Sequence, residues 1–290
     1  MDKLSSVKTT KEIVERYGFK FSKSLGQNFL VNSNIIQKIL DGAQIGQDDY
    51  ILEVGPGIGT LTKEMAKLSK KVVAVEIDKK LIPILSETLK DNENVEVINE
   101  DILKCDVKKI VDEKLNGGPI KLVANLPYYI TTPIVMKFLE EDIPVSHIVV
   151  MVQKEVADRM KASPGTKDYG ALSVAVQYYS DVDIITTVPK TMFIPQPNVE
   201  STVIRLKSYT QPKYDLIDKD LFFRLVKASF SKRRKTILNA LSTYGLEFTK
   251  DEIKSALEEA NIQETRRGET LSIEEFVKLA NIMKKKSTFK

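Results

Sequence analysis

The sequence predicts an α/β domain built on a mostly parallel, seven-stranded sheet, followed by a small all-α domain. Three observations carry this. Short apolar runs alternate with helical segments between residues 50 and 210, a glycine-rich turn joins the first run to a helix, and strand-like runs stop after Ser208. Alternation of that kind requires crossover helices, and crossovers place strands parallel with both faces covered.

In chain order, residues 50–54 (YILEV) read as the first strand and residues 60–68 as an amphipathic helix. Residues 71–76 (KVVAVE) form the second strand and residues 79–89 the next helix. Strands three, four and five are expected at 95–98, 120–124 and 147–152. Residues 183–188 and 201–207 follow with no room for a full helix between them, so they read as a hairpin closing one sheet edge. Beyond 209–212 (YTQP), which reads as a linker, only helical periodicity remains. Phe222, Leu225, Val226 and Ser229 share one face, as do Ile253, Leu257 and Ala260. The expected domains are therefore 1–208 and 209–290.

Composition narrows the function classes. Of 290 residues, 42% are apolar and 29% charged, as in ordinary globular proteins. The first residues lack the apolar stretch of a signal peptide, and no apolar run approaches membrane-spanning length, so a cytoplasmic protein without membrane contact is expected. One cysteine, Cys105, excludes an intrachain disulfide, and one histidine, His147, leaves few soft ligands, so no metal site is expected. The net charge of +4 is unevenly placed. Residues 211–290 hold 17 Lys and Arg against 12 Asp and Glu, whereas residues 1–210 hold 27 against 28. That excess suits contact with a polyanion, or simply a solvated helical surface.

The glycine turn, EVGPGIG at 53–59, lets backbone amides approach a ligand through Gly55 and Gly57 without Cβ obstruction. Glu76 ends the next strand, 21 residues after Gly55, where a carboxylate can accept both hydroxyls of a ribose. Asp78 competes for that role but stands where a helix N-cap belongs. A dinucleotide fingerprint would place its third glycine or alanine at position 60, which is Thr60. Its absence disfavours a nicotinamide dinucleotide and favours S-adenosylmethionine, which has no pyrophosphate to cradle. Asp101, after the third strand, can accept a hydrogen bond from an adenine amine or can serve as a plain loop cap.

The fourth strand runs into NLPYYI at 125–130, and ligands of doubly wound sheets bind beyond the carboxyl ends of strands. The side-chain oxygen of Asn125 and the backbone carbonyl of Leu126 suit the two protons of an aromatic amine. Accepting both pulls the amine toward tetrahedral geometry and frees its lone pair for attack. Pro127 stiffens the turn, and Tyr128 offers a ring for stacking, worth about 1–3 kcal/mol per base.

NLPY resembles the Asp/Asn-Pro-Pro-Tyr/Phe motif of adenine-N6 methyltransferases in the form used by rRNA adenine dimethylases. KSLGQNFL at 23–30, FIPQPNVES at 193–201 and SKRRKT at 231–236 resemble that family's N-terminal, second base-stacking and basic motifs, so the likeness spans nearly the whole chain. The resemblance implies a Rossmann-like class I methyltransferase domain and S-adenosylmethionine as cofactor. It also implies dimethylation of two adjacent adenosines in the 3′-terminal hairpin loop of small-subunit rRNA, on a pre-30S particle, by a monomer. Residue by residue, it implies that Gln27, Asn28 and Leu30 line the methionine end and that Gly55 lies against the cofactor. Glu76 would hold the ribose and Asp101 the adenine amine, with Ile102 beside it, and Asn125 would serve cofactor and substrate. Tyr128 and Phe193 would bracket the target base, although Phe193 read alone is a ring pinning a loop.

Lys227, Lys232, Arg233, Arg234 and Lys235 fall within nine residues free of acidic groups, expected as one basic helix against RNA phosphates. Lys23 is a weaker candidate for the same contact. Three rivals stay open on sequence grounds: a macrolide-resistance type 23S rRNA dimethylase, a non-catalytic RNA-binding assembly factor, and a nicotinamide dehydrogenase.

Overall fold

The computed structural model describes residues 4–22, 25–232 and 234–288, so Lys23 and Arg233 lie outside the described residues. Among the described residues nine strands occur: β1 (Phe29–Leu30), β2 (Tyr50–Val54), β3 (Lys71–Glu76), β4 (Val95–Asn99), β5 (Ile120–Asn125), β6 (Val145–Gln153), β7 (Ser180–Val188), β8 (Phe193–Ile194) and β9 (Ser201–Ser208). Seven of them form one sheet in the order β4-β3-β2-β5-β6-β9-β7. The five from β4 to β6 pair in parallel, and β9 runs antiparallel to β6. The central strands are apolar along their length because helices cover both faces: every residue of β3 after Lys71 is buried. The strand order reverses between β2 and β5, which leaves a crevice beyond their carboxyl ends.

The expected hairpin is more elaborate than two strands. The stretch joining β7 to β9 holds a short 3₁₀ turn and β8, which pairs antiparallel with β1 through Phe29↔Ile194 and Leu30↔Phe193. That small ladder holds the N-terminal segment in place.

Helix boundaries shift where local hydrogen bonds compete. The helix after β2 spans Thr60–Ala66 and stops before residue 68, where the Ser69 hydroxyl donates to the Met65 carbonyl at 2.8 Å. The next helix starts at Ile82, not at 79. Asp78 Oδ1 accepts the Lys80 amide at 3.0 Å, closing a separate turn, and Pro83 suits the first helical turn.

The chain divides into two compact units, Met1–Ala157 with Asp181–Ser208, and Asp158–Ser180 with Tyr209–Lys290. The stretch 158–180, expected in the first domain, therefore counts with the helical one. Its side chains explain why: the Tyr169 hydroxyl donates to the Leu271 carbonyl at 3.0 Å, and the Tyr178 ring packs 5.1 Å from that of Phe222. Phe222, Leu225, Val226, Ile253, Leu257 and Phe276 share this second core.

The expected basic helix is interrupted. The helix Lys219–Phe230 ends there, and another runs from Ile237 to Ser242, capped by Thr236. Gly268 packs so closely on the end of the first helix that a Cβ would lie 2.7 Å from the Ser229 carbonyl oxygen. The Ile237 amide donates to the Arg266 carbonyl at 2.6 Å, which turns the chain at the start of the second helix. Lys232, Arg234 and Lys235 consequently sit on an exposed turn between helices, and Lys227 on the exposed face of the first.

Candidate active site

The three glycines of the turn after β2 all adopt positive φ: 69° at Gly55, 60° at Gly57 and 85° at Gly59. Gly57 also meets a close neighbour, since a Cβ there would stand 3.1 Å from the Phe29 ring. Only glycine satisfies both conditions at once. The turn leads into a crevice of about 1050 Å³ including its open mouth, lined by 25–30, the 53–58 turn, Glu76, Asp101, Ile102 and the 125–130 loop.

Most of the expected site residues meet here. Gln27, Asn28, Leu30, Gly55, Gly57, Glu76, Asp101, Ile102, Asn125, Leu126, Pro127 and Tyr128 all line the crevice. Glu76 is buried, and its Oε1 accepts the Asp78 amide at 2.7 Å. Burial pushes its carboxyl up to about 7; the backbone amides of Asp78, Gly57 and Ile77 oppose this, and the Asp78 charge adds to it. Asp101 is the loop cap that the sequence left open, its Oδ1 accepting the Leu103 amide at 3.0 Å, and it stands at the crevice as well. Asp78 is not a helix cap; its Oδ2 accepts from Gln27 Nε2 at 2.8 Å, while Gln27 Oε1 accepts the Ser22 amide. Asn32 caps the helix Ser33–Ala43.

Asn125 stands at the tip of β5, and its Nδ2 donates to the Asn28 carbonyl at 2.9 Å. A carbonyl can only accept, so this contact assigns the amide orientation and leaves Oδ1 as the acceptor. The Leu126 amide is tied to the Met151 carbonyl at 3.3 Å, and the Pro127 carbonyl accepts from Ile130, closing the turn. The Tyr128 hydroxyl shares a 2.6 Å hydrogen bond with Ser201 Oγ, which is fully buried.

Phe193 corrects the expectation of a second base-stacking ring. It is only 2% exposed and packs among Leu30, Ile36, Met65, Val123 and Val149. Its pairing with Leu30 turns the ring into the core. The 193–201 motif still serves the crevice, because Ser201 holds Tyr128.

Of the lining residues that the sequence did not single out, three matter to the site. Phe29 backs the glycine turn. Tyr129 is 55% exposed and lies over Gly26, where a Cβ would be 3.4 Å from its ring. Glu53 is 1% exposed, and its Oε2 has no hydrogen-bond partner among the described residues. A lone carboxylate in YILEV was the visible signal for Glu53, whereas Phe29 and Tyr129 matter only through what the fold brings to them. Thr60 Oγ1, also buried and lining the crevice, likewise lacks a partner.

These features fit S-adenosylmethionine. Buried carboxylates suit its hydroxyls and positive charge, the orphaned oxygens await polar partners, and Ile58, Ile102 and Leu126 supply apolar walls.

A family model described as ribosomal RNA adenine dimethylase matches residues 18–284. A protein of Clostridioides difficile, named ribosomal RNA small subunit methyltransferase A, is 67% identical over the full length of both chains. A Bacillus cytotoxicus protein of the same name is 52% identical over 98% of each chain. Among solved structures, a dimethyladenosine transferase from Plasmodium falciparum is similar with a TM-score of 0.75 and 28% identity, covering 89% of this chain and 98% of its own. The 23S rRNA methyltransferase ErmE is similar with a TM-score of 0.67 and 26% identity, covering 89% of this chain and all of its own. A glycine turn, buried carboxylates and the 125–130 loop gathered at one crevice, together with matches of this extent, lead to one conclusion: the chain belongs to the ribosomal RNA adenine dimethylase family.

Proposed function

We propose that this protein transfers methyl groups from S-adenosylmethionine to N6 of two adjacent adenosines in the 3′-terminal hairpin loop of small-subunit rRNA, during ribosome biogenesis. The observation that carries the reading is the Asn125 amide, turned by the Asn28 carbonyl so that its oxygen is the acceptor at the crevice.

The cofactor supplies an electrophilic methyl group on a sulfonium. Glu76 holds the ribose, and Asp101 with Ile102 the adenine end. Asn125 Oδ1 and the Leu126 carbonyl accept the two N6 protons of the target adenine. Preorganised acceptors of this kind need no rearrangement during transfer, and in-line placement does the rest. Tyr128, steadied by Ser201, offers a ring to the target base. No strong base is required, because the amine becomes acidic as it gains positive charge. The target base must leave its stack at a cost of a few kcal/mol, which is small in a hairpin loop.

Lys227, Lys232, Arg234 and Lys235 are exposed and would contact RNA phosphates; Arg233 and Lys23, which lie outside the described residues, belong to the same proposal. The pre-30S particle as partner, the monomeric state and the cytoplasm as place of action complete it. Curated relatives at 52–67% identity carry small-subunit names, which favours that subunit over the large one. The test is mass mapping of modified nucleotides after incubating undermethylated small subunits, and separately large subunits, with the protein and S-adenosylmethionine. Dimethyladenosine confined to the small-subunit hairpin supports the reading; modification of large subunits alone, or none, overturns it.

A further inference from the structure

Glu53 is the most deeply buried charged-type side chain of the crevice, and its environment does not suit a charge. It is the penultimate residue of the apolar strand β2, just before the glycine turn, and β2 lies between β3 and β5. Oε2 is sealed from solvent without a hydrogen-bond partner among the described residues. The Thr62 hydroxyl stands close enough to ease a charge there but outside hydrogen-bonding geometry. Glu76, also buried, faces it from β3. Two carboxylates confined to one crevice raise the cost of ionising both.

The other groups around Glu53 do nothing to offset this. Glu100 and Asp101, after β4, line the same crevice and are acidic. Asn125, from β5, and Gln27 and Asn28, from the N-terminal segment, are neutral. No lysine or arginine lines it among the described residues. Of the two buried carboxylates, Glu76 has the backbone amides of Asp78, Gly57 and Ile77 to stabilise its charge. Glu53 has no comparable donor, so a proton resides on Glu53 in preference to Glu76.

We propose that Glu53 is a proton-exchanging cofactor-site residue: neutral in the free protein, it ionises when cationic S-adenosylmethionine enters, and the proton passes to solvent. The proposal rests on the cofactor reading above. The O–H bond of the carboxyl breaks, the proton goes to buffer, and the carboxylate left behind neutralises the incoming positive charge. Burial, with Glu76 beside it, pushes the Glu53 carboxyl up to about 8 in the free protein. Cofactor binding therefore tightens as pH rises toward that value, by up to about tenfold per unit, and levels off above it.

The test is calorimetric titration of the full chain with S-adenosylmethionine at pH 7, in buffers of different ionisation enthalpy. Release of about one proton per cofactor, reduced to less than half of that in Glu53→Gln, is the expected result. Buffer-independent heats in the wild type, or undiminished release from Glu53→Gln, would overturn the proposal. Infrared spectroscopy of the free protein decides the matter even if that variant does not bind. A protonated-carboxyl stretch at pH 7 must be present in the wild type, largely retained in Glu76→Gln and reduced by at least about half in Glu53→Gln, where only the Glu76 carboxyl, raised to about 7, still contributes; its absence from the wild type, or an undiminished band in Glu53→Gln, sinks the idea. If the wild type shows no binding heat at all, the cofactor reading fails, while the infrared band still reports independently on Glu53.

Discussion

Asn125 donates its side-chain amide to the Asn28 carbonyl across 2.9 Å of space and 97 residues of chain. One hydrogen bond thus joins the N-terminal segment to the tip of β5 and selects which end of the amide faces the crevice. A side chain so held is preorganised, and its removal acts on transfer more than on binding.

Asn125→Ala is accordingly expected to lower methyl transfer by at least about a hundredfold, comparable to the loss of one preorganised polar group elsewhere. RNA affinity should change little. Filter binding with undermethylated small subunits, run beside a methylation assay, checks this; equal loss of both would refute the role given to Asn125.

Phe193 sits in the core, so Phe193→Ala should cost about 3–5 kcal/mol of stability, as large-to-small core changes do. Phe193→Leu keeps most of the buried volume and should retain most of the activity. Denaturant melts and turnover measured on both variants distinguish this from base stacking, which leucine could not replace.

Replacing Lys232, Arg234 and Lys235 together by alanine should weaken RNA binding and flatten its salt dependence. Each lost phosphate contact lowers the magnitude of the slope of log K against log salt by about 0.7–0.9. The side chains are exposed, so the melting temperature should hold. A slope equal to that of the wild type would place the RNA contact elsewhere.

The free protein should lose stability as pH rises, and Glu53 gives the sign. Its carboxyl is raised from 4.5 to about 8 by burial, so the fold prefers the neutral form. That contribution is fully present below about 4.5, shrinks above it and is gone once pH exceeds about 8. Glu76, raised to about 7, adds to the decline in the same direction. Glu53→Gln keeps a neutral group at all pH, so its melting temperature should fall less between pH 5 and 9, by at least about 2 °C. Calorimetric scans of the free proteins check this, and parallel curves would contradict it.

Gly268→Ala tests the contact that ends the helix Lys219–Phe230. The new Cβ would lie 2.7 Å from the Ser229 carbonyl and 2.9 Å from the Ser229 Cβ, backbone neighbours that cannot swing away. A loss of about 1–3 kcal/mol is expected from such overpacking, measured by denaturant melts, with weaker RNA binding as the adjoining basic turn shifts.

The alternation of apolar runs was enough to place a parallel sheet, and EVGPGIG, Glu76 and NLPY were enough to mark segments that meet at one crevice, because each depends on local spacing. Strand periodicity and glycine backbone freedom act over a few residues, and so they are readable along the chain. The small corrections have a different origin. Phe193 reads as a loop ring until its pairing with Leu30 turns it inward, and the basic segment reads as one helix until Gly268 closes on Ser229.

What the amino-acid order determined by itself is the set of candidates: an amide at the tip of the fourth strand, a glycine turn without the dinucleotide pattern and a carboxylate on the next strand. What only the tertiary structure decided is which atoms are desolvated together. Asn28 meets Asn125 and Glu53 faces Glu76 because β2, β3 and β5 lie side by side around the switch point, a proximity that spacing along the chain does not encode. Burial then pushes up two carboxyl groups that look like any others in the sequence.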